Sequence, residues 1–165
     1  MQRRLVLTQC GLLALAGCGF KLRNAPEFAF QSIFVNVAET STLGNELKRT
    51  LTSLGTVQVV TAAALQPGAQ VVLEIPLEQR EKTVAGVNAT GQVREFQIRL
   101  RVRFKLRTPQ GKDLIPDTEM LQQRDISFNE SAVLAKETEE GLMYRDMQSD
   151  IVQQLMRRLA AIKTL

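Results

Sequence analysis

The side chains that carry most enzyme chemistry are missing from this sequence. There is no histidine, so neither a Ser-His-Asp triad, a Cys-His pair nor a usual zinc site can be assembled. The two cysteines, Cys10 and Cys18, both stand near the N-terminus, and no later cysteine exists to close a disulfide in the body of the chain. Glu137, Glu139 and Glu140 cluster together, but at helical spacing they read as a solvated face on which Lys136 pairs with Glu139 or Glu140. The segment Gly86-Val87-Asn88-Ala89-Thr90-Gly91 lacks the terminal lysine of a phosphate-binding loop. No catalytic residue, metal ligand or cofactor is therefore expected. What remains is a concentration of positive charge. From Glu95 to Arg107 every even position is large and apolar and every odd one polar, the last five odd positions being Arg99, Arg101, Arg103, Lys105 and Arg107.

A second group with chemistry is the thiol of Cys18. Arg3 and Arg4 precede a mostly apolar stretch from Leu5 to Ala16, which is shorter than the roughly 20 residues a spanning helix needs and fits the apolar region of a signal peptide. It ends in Leu15-Ala16-Gly17-Cys18, which matches a lipobox. Small residues at 16 and 17 fit the peptidase pocket. The thiol accepts diacylglycerol, and the amine freed by cleavage is then acylated, typically with palmitate. Several acyl chains on one residue hold a protein firmly to a membrane. Residues 1–17 are thus read as a signal peptide that is removed, 18–31 as a lipidated tether and 32–165 as one domain. Gly19, in place of an aspartate that would resemble an inner-membrane retention signal, points to the outer membrane of a Gram-negative cell. Removing Arg3 and Arg4 from the 21 basic residues leaves 19 against 17 acidic ones, a mild excess whose interest is local.

The elements that must position the basic ladder follow from periodicity. Alternation with period two makes Glu95–Arg107 a half-buried strand, long against the typical five or six residues or so. Its apolar face is Phe96, Ile98, Leu100, Val102, Phe104 and Leu106. Ser32–Val37 and Thr56–Val60 read as short strands. Between them, Thr40-Ser41-Thr42 offers helix N-caps, Leu43, Leu47, Leu51 and Leu54 share one helical face, and Gly55 marks the stop. Gln70–Lys82 is a strand in which Val71, Leu73, Ile75 and Leu77 point inward and Val72, Glu74, Glu78, Arg80 and Lys82 outward, with Pro76 implying an edge or a bulge. A flexible hairpin loop at Gly86–Gly91 leads into the long strand. After a turn at Thr108–Gly111, Lys112–Phe128 is extended and interrupted at Pro116, with Asp117, Glu119 and Asp125 placed to partner the ladder. A final helix from Ser131 to Ile162 carries the stripe Tyr144, Met147, Ile151, Leu155, Leu159 and Ile162, with a kink or close approach expected at Gly141. The order β-α-β-β-β-β-α predicts an α+β fold, two amphipathic helices on one face of a mixed, mostly antiparallel sheet of four or five strands.

Three readings of the ladder stand open. It is a solvated sheet face with counter-charges nearby, a nucleic-acid surface, or a face toward an anionic or polar partner at the membrane. The lipobox places the chain outside the cytoplasm, and stacking aromatics are absent from that face, which sets nucleic acid aside. Lipopolysaccharide phosphates suit arginine and lysine, and a porin-like barrel has a polar interior.

Several motifs in order carry a likeness to a known family. Cys18-Gly19-Phe20-Lys21-Leu22-Arg23 resembles the mature start of LptE, the lipopolysaccharide-assembly lipoproteins. So do Thr90-Gly91-Gln92 entering a long strand, Val133-Leu134-Ala135-Lys136-Glu137 opening a final helix, and Tyr144-Arg145-Asp146-Met147 with Leu155-Met156-Arg157-Arg158-Leu159 further on. The resemblance runs from residue 18 to about 160. It implies two helices on a mostly four-stranded sheet, no catalysis, and residence as a plug in the LptD outer-membrane barrel, where the pair delivers lipopolysaccharide to the outer leaflet. It also implies that Lys136 contacts lipopolysaccharide. A second basic contact of some relatives falls at Ala89 here, and Arg94 is the nearest basic substitute. The alternative from the residues alone is a structural accessory lipoprotein of another envelope machine, such as a barrel-assembly complex.

Overall fold

A computed structural model describes residues 26–165; the signal peptide, the lipobox and Cys18 lie outside them. The elements are β1 (Ser32–Asn36), α1 (Thr42–Ser53), β2 (Gln58–Val60), a 3-10 turn (Ala63–Gly68), β3 (Val71–Val87), β4 (Val93–Arg107), β5 (Asp113–Ser127), a second 3-10 turn (Glu130–Ala132) and α2 (Val133–Ala160). The five strands form one sheet in the order β2-β1-β3-β4-β5. β1 runs parallel to both β2 and β3, and β3, β4 and β5 are successively antiparallel. This is the expected α+β arrangement.

β4 is the spine because its apolar positions have the most to bury. Ile98, Leu100, Val102, Phe104 and Leu106 are fully buried in one core with Leu43, Leu47 and Leu51 of α1 and Met147, Ile151, Leu155 and Leu159 of α2. Ser41 caps α1, its hydroxyl accepting from the amide of Gly44 at 2.8 Å. The last residues of the tether join the same core: Phe30 is 1% exposed, and its ring stands 5.2 Å from that of Phe28. On the opposite face Phe34, Val72 and Ala69 form a small separate cluster with Val60.

The two hairpins of the spine turn in the same way. In each, the residue before the turn donates to the carbonyl four residues on (Asn88 to Gln92, Thr108 to Lys112), and a glycine with positive φ, Gly91 at 82° or Gly111 at 94°, donates back. A left-handed glycine closing a short turn matches the right-handed twist of the strands. The first of these is not the slack loop expected at Gly86–Gly91. β3 continues to Val87, and the Asn88 carboxamide oxygen accepts from the amides of Thr90 and Gln92.

The bulge anticipated at Pro76 is present, while the facing of the residues beyond it and the kink at Gly141 are corrected. Pro76 sits in a bulge of an interior strand, where Ile75 and Pro76 together face one residue of β4. The extra residue inverts the alternation beyond it. Leu77 therefore pairs with Arg103 on the ladder face, while Glu78, Arg80 and Lys82 turn to the helix side, opposite Val102, Leu100 and Ile98. Pro116 marks a second bulge, between Leu106↔Ile115 and Phe104↔Thr118. In α2, nothing approaches the position of a Gly141 side chain, and the helix runs unbroken through it.

Candidate functional site at the tip of the sheet

The β3–β4 hairpin, the end of β5 and the first turns of α2 meet at one end of the molecule. Phe128 closes β5 there, its amide donating to the Arg94 carbonyl at 2.8 Å. Its ring stands edge-on to Phe96 at 5.2 Å. Asn129 then turns the chain into α2, its side-chain oxygen accepting from the Ser131 amide and hydroxyl.

Lys136 lies one turn into α2 and reaches back to the sheet. Its ammonium donates to Ser127 Oγ at 3.0 Å and to Glu139 Oε2 at 2.8 Å, the pairing expected from helical spacing. It is half-buried, lining a small cleft with Lys82, Phe96, Ile126, Phe128 and Val133. Lys82 reaches the same cleft only because the Pro76 bulge turned it there. It pairs with Glu140 at 2.6 Å and stands 4.5 Å from the centre of the Phe96 ring. Arg94 is exposed beside the cleft, over a shallow depression lined by Gln92, Asn129 and Ser131. Lys136 and Arg94 thus flank the same connection from β5 to α2. Around them Val84, Val87, Val133 and Leu134 are exposed, Leu134 by 80%. Ala89 occupies the hairpin turn.

The basic ladder is organised differently. Arg101 pairs with Glu81 at 3.5 Å and with Glu119 at 3.1 Å. Arg103 pairs with Asp117, and Glu74 holds both Lys105 at 2.8 Å and Arg107 at 2.6 Å. Arg99 donates to Gln97, which in turn donates to Asp125. Hydrogen bonding from Lys105, and then from Arg107, holds the Glu74 carboxyl below the usual carboxylate range against the opposing effect of burial. Arg103 lowers the Asp117 carboxyl in the same way, and Asp117 raises the guanidinium. Asp117 and Glu119 are the partners anticipated on the far strand. Glu74 and Glu81 come from β3 as unanticipated partners. Seven residues apart, they would face opposite sides of a regular strand, and the Pro76 bulge brings them to one, so Pro76 is the sequence signal that points to them.

Among the described residues no group of three acidic or cysteine side chains converges to hold a metal, and no helix is long and apolar enough to cross a membrane. The architecture is that of a small two-layer α+β domain with a basic, partly apolar tip. Solved lipoproteins share the fold. Lipoprotein B of Nitrosomonas europaea, solved by NMR, superposes with a TM-score of 0.73 at 30% identity, over 87% of this chain and 91% of that one. Rare lipoprotein B of Shewanella oneidensis shares the fold with a TM-score of 0.66 at 21% identity, over 79% and 95%. In sequence, the chain is 28% identical to the LPS-assembly lipoprotein LptE of Pectobacterium atrosepticum, over 98% of this chain and 88% of that protein. The profile of the LptE family, described as lipopolysaccharide-assembly, matches residues 30–159, from the first core phenylalanine to the last buried leucine of α2. The chain belongs to the LptE family.

Proposed function

We propose that this protein is a non-catalytic outer-membrane lipoprotein, anchored through Cys18, that stands in the lumen of the LptD barrel and binds lipopolysaccharide at its sheet tip on the way to the outer leaflet. The observation that carries this reading is the composition of the tip. Lipopolysaccharide presents phosphates beside acyl chains. The tip sets Lys136, Lys82 and Arg94 beside Phe96, Phe128, Val133 and Leu134. A cation with an apolar neighbour binds such a headgroup better than either alone, because acyl burial adds to the charge-assisted hydrogen bond.

The ladder face suits the barrel rather than the lipid. Four of its five cations already hold carboxylate partners. A face neutralised in this way can meet the polar wall of a barrel without leaving an uncompensated charge behind.

Lys136→Glu and Arg94→Glu are expected to weaken lipopolysaccharide binding by roughly tenfold each, the effect of about 1.4 kcal/mol. The far-ultraviolet circular dichroism spectrum should be unchanged, since both side chains lie at the surface of the tip. Binding that is unaltered in both variants removes these residues from the site.

A further inference from the structure

A second group of cations without carboxylate partners lines a groove on the helix side. α1 presents Thr42, Glu46 and Arg49 at helical spacing, and α2 presents Arg145, Gln148 and Ser149 facing them, with Arg80 of β3 between. Arg80 reaches the groove because of the Pro76 bulge, and its guanidinium lies 5.1 Å from the centre of the Tyr144 ring. Among the described residues Arg49, Arg80 and Arg145 take part in no ion pair, and they differ from the other cations without one, such as Lys112 and Arg157, in lining one groove together. The acid in the groove is already engaged. Glu46 accepts from Gln148 Nε2 at 2.6 Å and from Ser149 Oγ at 2.7 Å. Thr42 and Arg80 in turn donate to Gln148 Oε1, at 2.6 and 3.5 Å. The floor, Arg80 included, is thus held by its own hydrogen bonds, while Arg49 of α1 and Arg145 of α2 stay exposed along it.

We infer that this groove docks an extended acidic segment of a protein partner, with two carboxylates received by the arginines. Three features select that occupant. Planar guanidinium forks match carboxylates two bonds at a time. Glu46 in the middle of the floor repels a dense polyanion such as a phosphate cluster but accommodates singly charged carboxylates spaced along a chain. The polar stripe on α1 runs seven helical steps from Thr42 to Arg49, about 10 Å at 1.5 Å rise, which is the length of roughly three residues of extended chain. The groove shares no lining residue with the tip cleft, so the inference stands independently of lipopolysaccharide binding.

The test uses the full-length lipidated protein in neutral detergent and a fluorescein-labelled peptide alternating glutamate and alanine, followed by anisotropy. The glutamate peptide is expected to bind and its glutamine counterpart not to. Replacing Arg49→Ala together with Arg145→Ala should weaken binding by about tenfold, roughly threefold for each exposed charge. Lys112→Ala with Arg157→Ala removes the same charge elsewhere and should leave it unchanged. Lipopolysaccharide binding should be the same in all variants. Equal binding of the two peptides, an equal loss from both pairs of substitutions, or full displacement by equimolar inorganic phosphate overturns the inference. Arg49 and Arg145 are both exposed, so neither substitution threatens the fold.

Discussion

Glu74 shows how single residues govern the ladder face. One carboxylate, 16% exposed, holds Lys105 and Arg107 from the neighbouring strand. Its carboxyl is lowered in the folded state, first by the hydrogen bond from Lys105. A carboxyl lowered on folding adds stability above its unfolded value, near 4.3 or so for glutamate, and that contribution is lost as pH falls through the folded value. Glu74→Gln is therefore expected to lower stability by up to about 1 kcal/mol at neutral pH, a modest figure because both cations are partly solvated. The deficit should shrink as the pH falls below about 4. Urea midpoints of parent and variant over a pH series measure it, and a deficit that stays constant into acid contradicts the assignment.

At the scale of elements, two glycines in helices predict opposite effects for one substitution. Gly44 in α1 packs against the segment after β1: a Cβ there would collide with Val37 Cγ1 and lie 3.1 Å from Ser41 Oγ. Val37 is branched at Cβ and cannot swing aside. Overpacking costs about 1 to 3 kcal/mol and outweighs the roughly 1 kcal/mol gained by replacing a helical glycine. Gly44→Ala should thus destabilise, while Gly141→Ala, with nothing within 4 Å, should stabilise by up to about 1 kcal/mol. Denaturant unfolding of the two variants decides, and changes of the same sign in both contradict the packing described. The same elements show what was legible in the sequence. The alternation of Phe96–Leu106 and the leucines of α1 are strong local patterns, and each led directly to the core. The facing of Glu78, Arg80 and Lys82 was misread because alternation was carried through Pro76, where one extra residue flips every side chain beyond it. That flip supplies Lys82 to the tip and Arg80 to the helix groove, so both cationic sites depend on a backbone irregularity that composition does not reveal. The Lys136–Glu139 pair follows from helical spacing, whereas the bond from Lys136 to Ser127 depends on how β5 enters α2, which local spacing does not carry.

For the whole molecule, charge is sorted by face. The ladder side is largely neutralised across β3, β4 and β5, the tip combines cations with exposed apolar side chains, and the helix side keeps unpaired arginines. The proposed lipid anchor, Cys18, precedes all three in sequence, outside residues 26–165. Cys18→Ala is expected to move the protein from the membrane to the soluble fraction in cells lacking the barrel, where fractionation reads it directly. With the barrel present, part of the protein should remain bound, since the proposed residence in the barrel would give the domain a second hold. Retention of the unlipidated protein by membranes without the barrel contradicts the lipid anchor. The proposal that joins anchor, neutralised face and tip is that this domain resides inside LptD. Its most direct test is purification of the lipidated protein from detergent-solubilised outer membrane, followed by identification of the barrel that accompanies it. The account predicts LptD in stable association with this chain; recovery of a different barrel complex, with LptD absent, contradicts it.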